Sequence, residues 1–304
     1  MNEKPAIYIH NLTKDYGAGK GIFNINLKIN KGEVFGFLGP NGAGKTTAIR
    51  QLMGFVKPDK GNAEIYGFDC FRQSHHIKKV LGYLPGEPAF FDDMTALDFL
   101  GFMADMVKVK DRNYIKTLSD YFELEKSKVK IKKLSKGTKQ KIGLICAFMN
   151  NPEIIVLDEP SSGLDPLMQI KFIELVLSEK AKGKTIFISS HIFDEIEKTC
   201  DRAAIIKHGK IVCIEDIKNL KSVRRKNFSI KFTDADNASK FAEKIEGVYQ
   251  NGQVVKYTVT GNVDSFIKSM SMYSVEDIEI TVPGLDEMFM HYYSDKNADK
   301  METK

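Results

Sequence analysis

The sequence predicts an α/β domain over residues 1–218, built on a mixed sheet, and a small α+β domain over residues 219–304. Three observations support this prediction. Residues 33–38 form an apolar, strand-like run, which is followed by a Gly-rich loop and then by helical periodicity. Residues 154–157 and 185–190 are further apolar runs of strand length, as expected for strands buried on both faces. After the first domain, strand and helix patterns start to alternate again, which indicates a second unit.

Composition is that of an ordinary globular protein, with 304 residues, 42% hydrophobic and 28% charged. No apolar run approaches the roughly 18 residues needed to cross a bilayer, and the N-terminus lacks the apolar region of a signal peptide. The four cysteines are widely spaced, so we expect reduced thiols rather than a metal site or disulfides. The net charge of +5 permits contact with phosphates or anionic lipid but requires neither. These features predict a cytoplasmic protein.

The N-terminal segment predicts an antiparallel β-layer that leads into the strand before the Gly-rich loop. Residues 6–12 and 22–38 alternate between apolar and polar side chains, which is typical of strands with one buried face. Tyr16 lies between these two runs. Its ring could stack on a base, or it could be a loop residue that covers the sheet.

The Gly-rich loop has the spacing G-x-x-x-x-G-K-[ST] of a phosphate-binding P-loop. Its glycines let backbone amides surround oxyanions, and the following helix adds the positive end of its dipole. Lys45 would reach the β- and γ-phosphates, and the Thr46 hydroxyl would hold Mg²⁺. The alternative, a Gly-rich turn with an unrelated lysine, is disfavoured by the strand before it and the helix after it. The predicted nucleotide-binding residues are Asn41, Gly42, Ala43, Gly44, Lys45, Thr46 and Thr47.

Residues 87–150 predict a mostly helical subdomain inserted into the sheet, and the Thr95–Asp98 capping box opens its first helix. Within it, Ser135 and Gly137 begin a second clear helical pattern, where a serine N-cap and a glycine can bind an anion. Such N-caps are common, so this signal is weak alone. The surrounding lysines either form a solvated face or approach a polyphosphate or a partner.

Acidic and imidazole side chains follow two of the predicted buried strands. Asp158 and Glu159 end the first, and parallel strands deliver such groups to one edge of a sheet. Asp158 would bind Mg²⁺, and Glu159 would orient or deprotonate the attacking water; the alternative is an ordinary acidic turn. His191 ends the second strand, where we favour γ-phosphate sensing over a structural role.

The C-terminal domain predicts a βαββαβ order with a last helix over residues 285–293, and it shows no catalytic motif. A basic linker over residues 218–226 precedes it. The linker is either a solvated hinge or a contact to anionic lipid.

Taken in order, the motifs resemble the ATP-binding subunit of an ATP-binding-cassette (ABC) transporter over roughly residues 5–218, which implies the P-loop NTPase fold of that family. The resemblance implies that Tyr16 stacks on adenine and that Asp165 links two sites. It also implies that residues 134–138 are the LSGGQ signature, so that Ser135 and Gly137 contact the γ-phosphate bound to the opposite subunit. The expected assembly is a head-to-tail homodimer that holds two ATPs and drives separate membrane permease subunits.

Two departures from the family pattern concern the site. Lys136 replaces a glycine of the signature and Thr138 replaces its glutamine; Lys136 could place a cation near the partner's phosphates. The family's glutamine after strand 80–84 is replaced by Gly86 and Glu87. Glu87 could take over as an oxygen ligand of Mg²⁺, or this contact could be absent.

The lysine-bearing signature and the tail element at residues 284–289 are similar to those of ATPases that serve ABC-2-type exporters of drugs, antibiotic peptides or lipids. Export through a separate permease, from the cytoplasmic face of the membrane, is therefore the predicted function. The alternatives are a soluble ABC ATPase acting on ribosomes or nucleic acid, and a regulatory module. One P-loop and the lack of sustained heptads argue against the former, so no nucleic-acid partner is expected.

Overall fold

The computed structural model describes residues 4–124, 128–222, 225–245, 248–260 and 263–282. The chain divides into two compact units between Glu215 and Asp216. Within the described ranges, no helix is both long and apolar enough to cross a bilayer.

The first unit consists of two sheets and their covering helices. Its strands are β1 (Ile7–Asp15), β2 (Gly21–Ile29), β3 (Val34–Leu38), β4 (Lys60–Ile65), β5 (Phe68–Asp69), β6 (Leu81–Leu84), β7 (Ile154–Asp158), β8 (Thr185–Ser190), β9 (Arg202–Lys207) and β10 (Lys210–Asp216). Its helices are α1 (Lys45–Leu52), α2 (Ser74–Ile77), α3 (Ala96–Met106), α4 (Arg112–Tyr121), α5 (Lys136–Phe148), α6 (Pro166–Ala181) and α7 (Phe193–Thr199), with a 3₁₀ turn at Ile131–Lys133.

The larger sheet has the strand order β10-β9-β3-β8-β7-β6, and its inner strands run parallel. All residues of β3, β7 and β8 are buried, which explains their continuous apolar sequences. The register places Asp158 opposite Ser189, and Leu38 opposite Ser190. The P-loop, the two acids and His191 therefore emerge next to one another at the carboxyl edge of the sheet.

The smaller sheet is antiparallel, with the order β2-β1-β4-β5. Its buried face shares one apolar core with α1 and the larger sheet, in which Ile7, Ile25, Phe37 and Leu52 are packed together. The predicted α/β fold with an antiparallel β-layer is confirmed.

The helices α3, α4 and α5 all lie within residues 87–150. Thr95 caps α3 by accepting from the backbone amide of Asp98, while the Asp98 side chain accepts from the amide of Thr95 in return. The Tyr114 hydroxyl of α4 donates to Oε1 of the buried Glu179 of α6 at 3.2 Å. This bond joins the helical segment to the helix layer of the sheet.

Over the described residues, the second unit consists of a four-stranded antiparallel sheet, two helices that pack against it and a short leading helix. Its core contains Phe228, Ile230, Phe232, Phe241 and Phe266. Residues 217–222, which overlap the predicted basic linker, form a short helix. The helix predicted over residues 285–293 lies outside the described residues. The elements are α8 (Ile217–Ser222), β11 (Arg225–Phe232), α9 (Ala235–Ala242), β12 (Tyr249–Asn251), β13 (Val254–Thr260), α10 (Asp264–Met270) and β14 (Val275–Thr281), and the strand order is β12-β13-β11-β14.

Candidate functional site

The P-loop connects β3 to α1 through a turn in which two glycines lie too close to other atoms to carry a Cβ. Gly44 begins α1 with φ +109°, and a Cβ there would lie 2.7 Å from Cγ2 of Ile22. A Cβ on Gly39 would lie 2.5 Å from the carbonyl oxygen of Ile206. No side chain caps α1 among the described residues, so its first amides remain available to an oxyanion.

The other loop residues line the entrance to this turn. Asn41 and Gly42 are exposed, Ala43 is buried and Thr47 is half-buried. The backbone carbonyl of Ala43 accepts from the amide of Gly209, which ties the loop to the turn between β9 and β10. The loop is therefore braced from two strands of the sheet and open on its outer side.

Lys45 is directed back over the loop that precedes it. Its side chain is only 5% exposed. Nζ donates to the carbonyl oxygens of Gly39 at 2.6 Å and Pro40 at 3.2 Å, and it lies 3.0 Å from Oε1 of Glu159. The ammonium is thus held at the mouth of the P-loop by charge-assisted bonds, where it can turn towards a polyphosphate.

Thr46 and Asp158 meet across the gap between α1 and β7. The Thr46 hydroxyl donates to Oδ2 of Asp158 at 2.8 Å, and the Ser189 hydroxyl donates to Oδ1. Asp158 is completely buried. Its carboxylate and the Thr46 hydroxyl are hard oxygen donors of the kind that Mg²⁺ prefers.

A protein cage for a metal is not present in the described ranges, where no group of three or more His, Cys, Asp and Glu side chains could hold an ion. Mg²⁺ is usually bound through one or two carboxylates together with substrate phosphates and water. Thr46 and Asp158 beside the P-loop therefore fit a magnesium ion that enters with a nucleotide.

Glu159 lies between Lys45 and His191 and contacts both. Its Oε2 lies 2.6 Å from Nδ1 of His191, on the side opposite its contact with Lys45. Its backbone has φ +50°, which is unusual for a residue other than glycine, and its amide donates to the carbonyl of Ser189 at 3.0 Å. This arrangement aims a carboxylate at the region in front of the P-loop, with an orienting imidazole beside it.

The signature residues lie at the start of α5, against the loop that follows Glu159. Ser135 caps this helix by accepting from the amide of Thr138 at 3.1 Å. A Cβ on Gly137 would lie 2.6 Å from the carbonyl oxygen of Gly163, so only glycine allows this approach. Lys136 Nζ donates to the Ser162 hydroxyl at 3.0 Å, so its ammonium is directed towards its own chain.

Tyr16 and Asp165 lie away from the P-loop contacts. Tyr16 is 54% exposed, with Nζ of Lys14 5.6 Å from its ring centroid. Asp165 caps α6 by accepting from the amide of Met168 at 3.0 Å. Among the described residues, no hydrogen bond joins Tyr16, Ser135 or Asp165 to the P-loop.

The segment after β6 approaches the acidic pair through its backbone. A Cβ on Gly86 would lie 3.2 Å from Oδ2 of Asp158, which leaves little room for a larger residue. The side chain of Glu87 is exposed. The structure thus places this segment beside Asp158, while the Glu87 carboxylate lies at the surface.

We expect Glu87→Ala to raise the Mg²⁺ concentration for half-maximal ATP turnover by up to about 10-fold, the lower end of the effect of losing an outer metal partner. Glu87→Gln keeps a side-chain oxygen and should stay near the wild-type value. ATPase rates across a Mg²⁺ titration test both variants. An unchanged titration in Glu87→Ala would remove Glu87 from the metal site.

Three site residues were not predicted from the sequence. Gln140 is buried and its Nε2 donates to the carbonyl oxygens of Glu159 at 3.2 Å and Pro160 at 2.9 Å. Ser189 contacts Asp158, and Ser190 adjoins His191. For the two serines, the available sequence signal was the polar end of the apolar run at residues 185–190. No sequence pattern indicated that Gln140 would lie in the site.

Comparison with known proteins supports the same interpretation. The family model described as ABC transporter matches residues 22–162. The bacitracin transport ATP-binding protein BcrA of Bacillus licheniformis is 34% identical over 293 residues, covering 90% of this chain and 95% of the relative. The linearmycin resistance ATP-binding protein LnrL of Bacillus subtilis (strain 168) is 34% identical over 208 residues, covering 67% of each chain.

Solved structures agree with these relatives. The structure of an ATP-binding subunit of an ABC transporter superposes with a TM-score of 0.65 at 28% identity, covering 71% of this chain and 92% of that chain. The P-loop, the acids after β7 and the histidine after β8 occupy one edge of the sheet in this chain. The chain belongs to the ABC transporter family, as an ATP-binding subunit with ATPase activity.

Proposed function

We propose that this chain binds ATP with Mg²⁺ at the P-loop, hydrolyses it with Glu159 as the base, and so powers export of an antibiotic peptide or a related drug through a separate permease. The observation that carries the hydrolytic part is the position of Glu159, whose carboxylate contacts both Lys45 and His191 in front of the P-loop. The export part rests on the 34% identity to a bacitracin transport protein over 90% of this chain.

The residues of the site have defined roles in the proposed reaction. The P-loop amides and Lys45 hold the phosphates and stabilise the charge that develops on the transferred group. Glu159 takes a proton from the attacking water, and His191 fixes the carboxylate and contacts the γ-phosphate. Thr46 and Asp158 would hold Mg²⁺, with Glu87 as an outer partner of the ion, which neutralises phosphate charge when bound.

ATP-binding subunits of this family work with membrane permeases, and we propose that this one forms a head-to-tail homodimer when ATP is bound. Ser135 and Gly137 lie at the start of α5, and no hydrogen bond joins Ser135 to the P-loop of its own chain among the described residues. In the dimer they would contact the γ-phosphate held by the opposite subunit, while Asp165 would connect the two sites and Tyr16 would stack on adenine. Charge stabilisation would then come from both chains.

The subunit would lie on the cytoplasmic face of the membrane, held there by its permease. No nucleic-acid partner is proposed. A soluble ATPase acting on ribosomes or nucleic acid, and a regulatory ATPase, are the outcomes that the following experiment can reveal instead.

The test is purification of the tagged full chain from its native cell in mild detergent, followed by mass spectrometry and an ATPase assay of the eluate. We expect one multi-span membrane protein in near-equal amount. Glu159→Gln, purified in parallel, should retain this partner because the substitution keeps the size of the side chain and changes no other residue. Recovery of ribosomal proteins or nucleic acid in place of a membrane protein would overturn the transporter proposal and leave the ATPase chemistry standing.

A further inference from the structure

A buried carboxyl group lies behind the pair formed by Glu159 and His191. It belongs to Glu195 in the first turn of α7, whose side chain is only 4% exposed. Oε2 accepts from the Ser190 hydroxyl at 2.5 Å, and the Ser161 hydroxyl lies close enough to lower the pKa of the carboxyl group. Oε1 is buried and has no partner of good hydrogen-bond geometry among the described residues. Buried polar atoms are normally satisfied, so this carboxyl group calls for an explanation.

The two serines lie next to the proposed catalytic groups along the chain. Ser190 is the last residue of β8 and directly precedes His191. Its hydroxyl accepts from the amide of Ile192 at 3.0 Å, and its carbonyl accepts from the amide of Gly39 at 3.2 Å. The Glu195–Ser190 bond therefore fixes the backbone on both sides of His191 and reaches the first residue of the P-loop.

Ser161 provides the second connection. It lies two residues after Glu159 and is buried. Gln140 holds the carbonyl oxygens of Glu159 and Pro160 from one side of this loop. Glu195 adjoins the loop at Ser161, so a second polar side chain, from another helix, lies against this loop.

The electrostatic surroundings of Glu195 make its charge sensitive to pH near neutrality. Burial raises the pKa of Glu195 to about 7, with the hydroxyls of Ser190 and Ser161 lowering it and the charge of Glu159 raising it. Cys200 at the end of α7 is a further titratable group nearby, and burial raises the pKa of its thiol to about 12, so it stays neutral. The carboxyl group can therefore change its charge at physiological pH, whereas its neighbours Ser161, Ser190 and Cys200 do not.

We propose that Glu195 is a positioning residue for ATP hydrolysis, because its buried carboxyl group binds Ser190 next to His191 and adjoins Ser161 in the loop that follows Glu159, and so fixes the spacing of the two segments that carry His191 and Glu159. This inference rests on the proposed roles of Glu159 and His191. Glu195 itself does not contact the nucleotide site. It acts through the two serines, and a displacement of about 1 Å between reacting groups can cost about 100-fold in rate.

The test compares three variants in steady-state ATPase assays. Glu195→Ala should lower kcat by about 10-fold at pH 7 and change the KM for ATP by less than about 2-fold, because the P-loop and Lys45 are untouched. Glu195→Gln keeps an oxygen that accepts from Ser190 and should restore most of the rate. Asp194→Asn removes an exposed carboxylate that pairs with Lys198 on the same helix, and it should match the wild type.

A pH series separates positioning from a general loss of structure. Between pH 6 and pH 8 the carboxyl group of Glu195 changes its charge in the wild type and is absent from Glu195→Gln, so the kcat ratio of Glu195→Gln to wild type should vary with pH. The same ratio for Asp194→Asn should stay constant. Thermal unfolding of each variant gives the folded fraction to which kcat is referred.

Ser190→Ala covers the case in which Glu195→Ala does not fold, since it removes the donor of the same bond with a small change in volume. We expect a similar loss in kcat, and no additional loss when it is combined with Glu195→Ala. If kcat per folded protein stays within about 2-fold of wild type in Ser190→Ala and in any folded Glu195→Ala, the inference is wrong. If Glu159→Gln also hydrolyses ATP normally, the proposed catalytic roles fail as well.

Discussion

Replacing Glu159 with glutamine is expected to leave ATP binding intact and to slow hydrolysis by about 10²–10⁴-fold. The amide has the shape of the carboxylate, but it cannot accept a proton from water. It also loses the charge that pairs with Lys45 at 3.0 Å. The P-loop and the Thr46–Asp158 pair are unaffected, so the bound nucleotide should persist and hold the two subunits together.

Two measurements check this expectation: single-turnover hydrolysis of labelled ATP, and the ATP-dependent shift from monomer to dimer in size-exclusion chromatography. The matched control is Glu153→Gln, which changes an exposed glutamate just before the other end of β7 and should behave as wild type. Normal turnover in Glu159→Gln would falsify the role of Glu159 as the base.

Replacing Lys45 with alanine is expected to weaken ATP binding by about 10–150-fold, the factor that corresponds to about 1.5–3 kcal/mol for hydrogen bonds to charged groups. The Lys45 side chain is only 5% exposed, and its ammonium is already held by the carbonyl oxygens of Gly39 and Pro40. The side chain therefore loses little conformational freedom when it turns to a phosphate. The loss in affinity should therefore come mainly from the missing charge.

Titration with a fluorescent ATP analogue measures this loss directly. Lys31→Ala serves as the control, since Lys31 is an exposed lysine just before β3, at the end of the strand opposite the P-loop. Equal affinities of the Lys45→Ala and wild-type proteins would show that Lys45 does not contact the phosphates.

Local sequence signals predicted the parts of the structure that depend on neighbouring residues. The P-loop, the buried strands and the Thr95 cap each follow from residues within one element. In the same way, the order of motifs placed Lys45, Glu159 and His191 at one edge of the sheet, because parallel strands end together.

The remaining features depend on register and on packing between distant segments. The contact between Ser189 and Asp158 follows from the pairing of β7 with β8, which no local pattern specifies. Gln140 and Glu195 are polar residues on helices, and sequence alone could not show that they point inwards. Gly86 lies against Asp158 while Glu87 is exposed, an arrangement that likewise depends on packing between distant segments.

At Glu159, the left-handed backbone conformation favours glycine for stability, whereas the proposed catalysis requires the carboxylate. With φ +50°, a residue with a Cβ costs about 1–3 kcal/mol, whereas glycine adopts this conformation readily. Glycine would therefore relax the turn after β7, but it would remove the carboxylate. Thermal robustness and the turnover proposed for this chain therefore make opposite demands on the residue at position 159.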